Sequence, residues 1–276
     1  MTERIFAVVL NWRDATSTRR CVESLLGEPG IDAIVVVDNE STGELRDVQH
    51  ERVHLSEQSE NLGFSRGVNV GLRLALQAGA GAVLVINNDA EVRAGSVDLL
   101  VGQWQRGGRR VGMLAPIVLN PDGTEQSTGG FFRAWDASTR DLGARRVNYL
   151  TWACVLVPRA TLEVVGLLDE DFFMYWEDVD YGLRVTDASL DLIVVQDAAV
   201  VHAKSASHGR AGNAIERYSA RGLTLLCRKR GGLARFVGLP YRLGGRLLSR
   251  MPRGGAAVAA VFEGWRDASR VRRSRT

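Results

Sequence analysis

The amino-acid sequence predicts an α/β fold: a doubly wound, Rossmann-like and mostly parallel sheet ahead of a basic helical tail. Three observations carry that prediction. Apolar, β-branched runs of strand length alternate with stretches of helical spacing through the first half of the chain. The main runs stop at Asn or Asp, at the carboxyl ends where sheets of this class receive their ligands. Charge is divided unevenly: from Arg228 onward 13 Lys and Arg face only Glu263 and Asp267, a net +11, while the remaining residues carry −8.

The elements follow in order. Ile5 to Leu10 is the first strand, continuously apolar as a strand buried on both faces must be, and Asn11 ends it. Thr16 to Leu26 has helical spacing, with Cys21, Leu25 and Leu26 on one side and Gly27 and Pro29 closing it. Ile34 to Val37 is a second buried strand that stops at Asp38-Asn39, and Val53 to Leu55 a short third. Phe64 to Gln77 is a helix with Val68, Leu72, Ala75 and Leu76 on one face. Ala82 to Ile86 is a fourth strand, ending at Asn87-Asn88-Asp89. The second half is less regular. Val111 to Leu119 and Tyr149 to Val157 read as strands, separated by a Gly- and polar-rich loop or hairpin from Asn120 to Gly143. Trp176 to Thr186 reads as a helix, Leu192 to Val195 and Ala199 to His202 as short strands, and Asn213 to Cys227 as a helix.

This organisation predicts one domain over residues 1–230 and a tail over 231–276. In the tail, Leu233, Phe236, Val237, Tyr241, Leu247, Leu248 and Met251 lie close to one helical face, with Arg235, Arg242, Arg246 and Arg250 off it and Pro240 as a break. Such a helix suits an anionic membrane surface; it equally suits a helix packed on its own domain with a solvated arginine face. No run of about 18 apolar residues occurs, and Met1-Thr2-Glu3-Arg4 leads straight into the first strand, so a cytoplasmic protein is expected, peripheral to the membrane if the tail meets lipid. Cys21, Cys154 and Cys227 are too dispersed for a disulfide framework or a metal knuckle.

Four segments could carry chemistry. Asn87-Asn88-Asp89-Ala90-Glu91 puts a carboxylate just past a buried strand, where Mg²⁺ or Mn²⁺ takes one or two protein oxygens and fills its shell with ligand phosphates; the same residues also make an ordinary turn. Trp176-Glu177-Asp178-Val179-Asp180 packs three acids beside Phe172, Phe173 and Tyr175. Acids in a first helical turn complement the dipole, but aromatic surroundings also raise a carboxylate's pKa and suit it to general-base work. His202 ends a short strand and is either structural or a metal ligand through a neutral ring nitrogen. Asn61-Leu62-Gly63-Phe64-Ser65-Arg66-Gly67-Val68-Asn69 opens a helix whose N-terminus favours phosphate, with Arg66 able to add a charge-assisted contact. It matches neither G-x-G-x-x-G nor a Walker loop, which counts against nicotinamide and ATP.

Taken with Val8-Val9-Leu10-Asn11-Trp12, Val36-Val37-Asp38-Asn39-Glu40-Ser41 and Val201-His202, these segments give six motifs in one order. The sequence resembles family 2 glycosyltransferases with the GT-A fold, in particular the bacterial rhamnosyl- and galactofuranosyltransferase-like branch, over about residues 4 to 230. The resemblance implies an inverting transfer from a nucleoside-diphosphate-sugar, dTDP- or UDP-linked, to a glycan or lipid-linked acceptor. It implies that Asn11 and Asp38 line the nucleoside pocket, that Arg66 approaches the diphosphate with Asn61 and Asn69 shaping its loop, and that Asn88 touches ribose or the metal shell. Asp89 and His202 would hold Mg²⁺ or Mn²⁺, Asp178 would be the catalytic base, Trp176 would serve the acceptor, and Glu177 and Asp180 would orient the acceptor or support the loop.

The sequence departs from the family at Asn87 and Asn88, where acids are common, leaving Asp89 as the strong carboxylate of that turn unless Glu91 reaches in. Two other classes compete. A nucleotidyltransferase needs a Gly-rich, basic first loop, and Asn11-Trp12-Arg13-Asp14 has no glycine. A non-catalytic nucleotide-sugar or polysaccharide-binding module would tolerate loss of Asp89 or Asp178, and both are present. The acidic body and the lack of a recognisable motif argue against nucleic acid.

Overall fold

The computed structural model describes residues 3–143, 146–203 and 213–271. Its first half is the expected doubly wound unit: β1 (Ile5–Asn11), α1 (Ala15–Leu26), β2 (Ala33–Asp38), β3 (Val53–Glu57), α2 (Gly63–Gln77) and β4 (Ala82–Asn87). β3, β2, β1 and β4 lie side by side, all parallel. The alternation along β1 explains the two layers. Ile5, Ala7 and Val9 pack into one core with α1, while Phe6 and Val8 pack into a second with α2. A strand buried on both faces must be apolar at every position, and β1 and β2 are. Asp14 caps α1 by accepting from the Ser17 amide at 3.1 Å, an interaction typically worth about 1 kcal/mol.

The second half is mixed rather than parallel. It adds β5 (Ala90–Val92), α3 (Ser96–Gly107), β6 (Val111–Leu119), β7 (Glu125–Ser127), the hairpin β8 (Phe131–Arg133) and β9 (Ser138–Arg140), β10 (Cys154–Pro158), α4 (Arg159–Val165), α5 (Glu177–Asp187) and β11 (Asp191–His202). β10 runs antiparallel between β4 and β6, and β11 runs parallel to β6 with β5 on its outer edge. Two sequence expectations are corrected. Tyr149 to Ala153 lies outside the strand, which starts at Cys154. The two short strands near residue 200 are one strand whose register with β6 shifts between Val195 and Ala199. β5, α3 and α4 were not expected.

The chain ends in α6 (Asn213–Arg230), a π-helical turn at Ala234–Gly238, α7 (Leu239–Arg250) and α8 (Gly255–Arg270). A third core holds them to the body: Phe132, Tyr149, Phe172, Trp176 and Val179 pack with Leu223, Leu226, Ala234, Leu239 and Ala268. The tail is amphipathic, but its faces are inverted relative to a solvated-arginine helix. Leu233, Phe236, Tyr241, Leu248 and Met251 are exposed, whereas Arg242, Arg246 and Arg250 are half-buried. The arginines beyond Val271 lie outside the described residues. No helix among the described residues is long and apolar enough to cross a membrane.

Candidate active site

The strand directions gather the carboxyl ends of β1, β2, β4 and β11 at one side of the sheet. Asn11 and Asp38 are register partners there, and Asn11 Nδ2 donates to Asp38 Oδ1 at 2.6 Å. Asn11 Oδ1 accepts from Thr18 Oγ1 at 2.8 Å, and Asn88 Nδ2 donates to Thr18 Oγ1 at 3.1 Å and to the Asp14 carbonyl at 3.3 Å. Asn39 reaches to the next loop: its Oδ1 accepts from Leu62 N at 2.8 Å and its Nδ2 donates to Asn61 Oδ1 at 3.0 Å. Asn61 also accepts from Gly63 N at 2.9 Å. Gly63 holds φ +77°, and a Cβ there would stand 2.5 Å from the Phe173 carbonyl oxygen, so the start of α2 tolerates only glycine.

Asp89 and His202 meet at the other end of this edge, with Nε2 and Oδ1 3.1 Å apart and both side chains largely buried. Gln126, in β7, explains the orientation of the ring. Its Nε2 donates to Asn120 Oδ1 at 2.9 Å and to the His202 carbonyl at 3.2 Å, so its Oε1 is the end that meets His202 Nδ1, at 2.7 Å. That network places a proton on Nδ1 and turns Nε2 toward Asp89, with Asn87 Nδ2 at 3.3 Å. A carboxylate oxygen and an imidazole nitrogen so placed fit a divalent cation. Among the described residues no group of three or more His, Cys, Asp or Glu gathers.

The acids of α5 sit where the sequence predicts, at the start of a helix. Tyr175 and Trp176 hold φ +69° and +75°, a left-handed pair that costs on the order of 1–3 kcal/mol per residue and is retained at functional turns. The turn delivers Glu177, Asp178 and Asp180 into the first helical turn. Burial pushes the Asp178 carboxyl well up from the usual aspartate range and nearby Asp141 adds to it, while Val179 N, donating at 2.8 Å, opposes both. Burial, then the neighbouring Asp178, pushes Glu177 up further, and its Oε2 has no partner among the described residues.

Three predicted contact residues are turned inward. Asn69 is buried; its Nδ2 donates to the Leu168 carbonyl at 2.9 Å and its Oδ1 accepts from Leu168 N at 3.1 Å. It ties α2 to the loop ahead of α5, and its amide is spent there. Asp180 is buried against Arg184 at 2.9 Å, and Arg184 also donates to the Val165 and Leu167 carbonyls. Trp176 packs edge-on against Phe132 in the third core, whereas Phe173 is half-buried and stacked on Tyr218 at 4.7 Å. Arg66 remains half-exposed, 3.8 Å from Glu170.

Residues 7–166 match the profile of the family described as Glycosyl transferase family 2. The chain belongs to this family. Among curated relatives, this glycosyltransferase is 30% identical to the N-acetylglucosaminyl-diphospho-decaprenol L-rhamnosyltransferase of Mycobacterium tuberculosis, over 76% of its own length and 79% of the relative's. It is 24% identical to the low-salt glycan biosynthesis hexosyltransferase Agl10 of Haloferax volcanii, over 79% and 73%. Its fold superposes on GalNAc-T7, solved with UDP, GalNAc and Mn²⁺, at a TM-score of 0.66 and 12% identity, covering 97% of this chain but only 54% of that one. The mannosyltransferase PcManGT of Pyrobaculum calidifontis, solved with GDP-Man and Mn²⁺, gives 0.61 at 16% identity, covering 95% and 79%. The expected GT-A architecture is therefore the observed one.

Sequence reasoning missed several residues of the candidate site. Thr18 links Asn11 to Asn88, Gln126 orients His202, and Asp141, which accepts from the Tyr149 hydroxyl, bears on Asp178. Thr18 is buried on the inward face of α1, in line with Cys21, Val22 and Leu25, and a polar residue on that stripe was within reach of a helical-wheel argument. Gln126 and Asp141 stand in an aperiodic stretch and gave no signal.

Proposed function

We propose that this glycosyltransferase moves a rhamnose-like deoxysugar or a hexose, with inversion, from a dTDP- or UDP-linked donor to a hydroxyl of a glycan or lipid-linked glycan in cell-envelope polysaccharide synthesis. The supporting observation is the pairing of two unlike sites. The Asn11–Asp38 and Asp89–His202 pairs share one sheet edge, and the loop carrying Asp178 is clamped to the neighbouring start of α2, where Phe64 N donates to the Phe173 carbonyl at 2.6 Å. The names of the curated relatives favour rhamnosyl and hexosyl transfer.

In this reading Asp38 and Asn11 take the nucleoside, and Arg66 and the N-terminus of α2 face the diphosphate. Asp89 and His202 would hold Mg²⁺ or Mn²⁺, which when bound supplies positive charge against the departing nucleoside diphosphate. Asp178 accepts the proton of the acceptor hydroxyl as its oxygen attacks the anomeric carbon. One base and one displacement give inversion. The exposed apolar residues of the tail, beside its arginines, support a peripheral position on the cytoplasmic face of an anionic membrane.

A thermal-shift screen of nucleoside diphosphates and their sugars, with and without Mn²⁺, tests the reading. A metal-dependent rise in melting temperature with dTDP or UDP compounds is expected. Equal shifts with and without metal, or none with any nucleotide, would overturn it.

A further inference from the structure

Arg242, Arg246 and Arg250 recur at intervals of four along α7, on one slowly rotating face. Arg250 Nε donates to Glu216 Oε1 at 2.7 Å. Arg246 reaches the other oxygen of that carboxylate at 3.5 Å and donates to Ser219 Oγ at 2.8 Å. Arg242 Nε is buried and has no acceptor among the described residues. Glu216 is the acid that bears on Arg246, while Arg242 and Arg250 push its pKa down along with burial. Two guanidinium groups thus share one carboxylate, and the third, Arg242, lies one helical turn from Arg246 with its Nε buried. Like charges at this spacing repel, and a buried charged donor without an acceptor is costly. Such a cluster of guanidinium groups favours an anion of more than one charge.

The position of the cluster narrows the choice of anion. Ser219 Oγ, which accepts from Arg246, also accepts from the Trp176 indole at 3.4 Å. Trp176 is followed directly by Glu177 and Asp178. Glu216 and Glu177 both act on Tyr175. The arginines therefore stand against the turn that presents the base, on the acceptor side, with exposed Phe236, Tyr241, Leu248 and Met251 on the same tail. An acceptor entering here brings apolar and multiply anionic parts together.

We infer that Arg242, Arg246 and Arg250 bind the diphosphate of a lipid-linked acceptor, whose chain runs along the exposed apolar residues of the tail. The inference rests on the lipid-linked alternative of the proposed function. Guanidinium forks take phosphate oxygens two at a time, and a diphosphate offers the charge that Glu216 leaves uncompensated.

The full chain, held in EDTA, is titrated calorimetrically with inorganic pyrophosphate. Saturable binding is expected, weakened about tenfold in Arg242→Gln, the replacement that breaks no hydrogen bond at Nε, and less in Arg242→Lys. Arg159→Gln, in α4 and paired with Glu163, is expected to leave the affinity within about twofold. Binding that ignores Arg242→Gln and Arg246→Gln, or that falls equally in Arg159→Gln, overturns the site. Neutral vesicles doped with farnesyl diphosphate should bind the chain in competition with pyrophosphate, and vesicles doped with phosphatidylglycerol should not. Equal, uncompeted binding to both would assign the arginines to headgroup charge and overturn the diphosphate site. Arginine-dependent pyrophosphate binding without transfer to lipid-linked acceptors would sink the acceptor reading and leave the anion site standing.

Discussion

At the ends of β1, β2 and β4, polar side chains satisfy one another: Asn11 with Asp38 and Thr18, Asn88 with Thr18, Asn39 with Asn61 and Leu62. Across α5, α6 and α7 the reverse holds. Glu177 is buried with an oxygen that has no partner among the described residues, Asp178 and Asp180 are pushed up by burial, and two arginines share Glu216 beside a third. The first region is a frame of mutually satisfied hydrogen bonds, set before any ligand arrives. The second holds uncompensated charge in a low-dielectric setting, where a proton can be moved or an anion bound at most effect. Electrostatic strain is concentrated where chemistry is proposed, and the frame beside it is kept quiet.

The comparison breaks first at the base. Asp178→Asn keeps the shape of the turn and removes the proton acceptor, so kcat should fall by about 10²–10⁴ with donor affinity unchanged. Retained turnover would reduce Asp178 to a helix-capping acid. Next is the metal pair. Asp89→Ala should abolish the metal-dependent part of donor binding, and Gln126→Leu, which frees the His202 ring, should weaken Mn²⁺ binding by about 10–100-fold in calorimetry. Unchanged affinity in Gln126→Leu would mean that the ring is oriented by something other than β7. In the hydrogen-bonded frame, Asn11→Ala strips Asp38 and Thr18 of a partner, and urea unfolding should show a loss of about 1–3 kcal/mol. A loss no larger than at an exposed site would mean that the network contributes little to the fold.

How legible each region was in the sequence follows the same division. β1, β2 and β4 are continuous apolar runs because both faces are covered, and their polar ends are adjacent in register, so local pattern was enough to place Asn11, Asp38 and Asp89. α3 also carries a readable stripe, Val97, Leu100, Val101 and Trp104, which a motif-led reading passes over. The charged region depends on contacts across large sequence separations. The inward turn of Arg246 requires Ser219 and Glu216 on another helix, and the commitment of Asn69 requires Leu168. Periodicity identifies two faces on α7; it cannot say which one meets the protein.

The smallest expected effect tests the charge imbalance by itself. Glu177 has its folded pKa raised, so the folded chain keeps a proton that the unfolded chain releases. Its contribution to stability is present at acid pH, below the unfolded value, and is lost as pH rises through the folded one. Glu177→Gln removes that loss, so the variant should match the parent near pH 4 and gain on the order of 1 kcal/mol by pH 8. Asp136 supplies the opposite sign within the same half of the molecule. The hydrogen bond from Arg133 holds its carboxyl down at about 2, so its contribution is present above the ordinary aspartate range and lost as pH falls toward 2. Asp136→Asn should therefore cost stability at pH 8 and converge with the parent on acidification. Melting curves of Glu177→Gln between pH 4 and 8, and of Asp136→Asn between pH 2 and 5, should diverge from the parent in opposite directions as pH rises. Parallel curves would mean that Glu177 is compensated in the folded chain, and the contrast between the hydrogen-bonded frame and the charged region would then rest on the arginines alone.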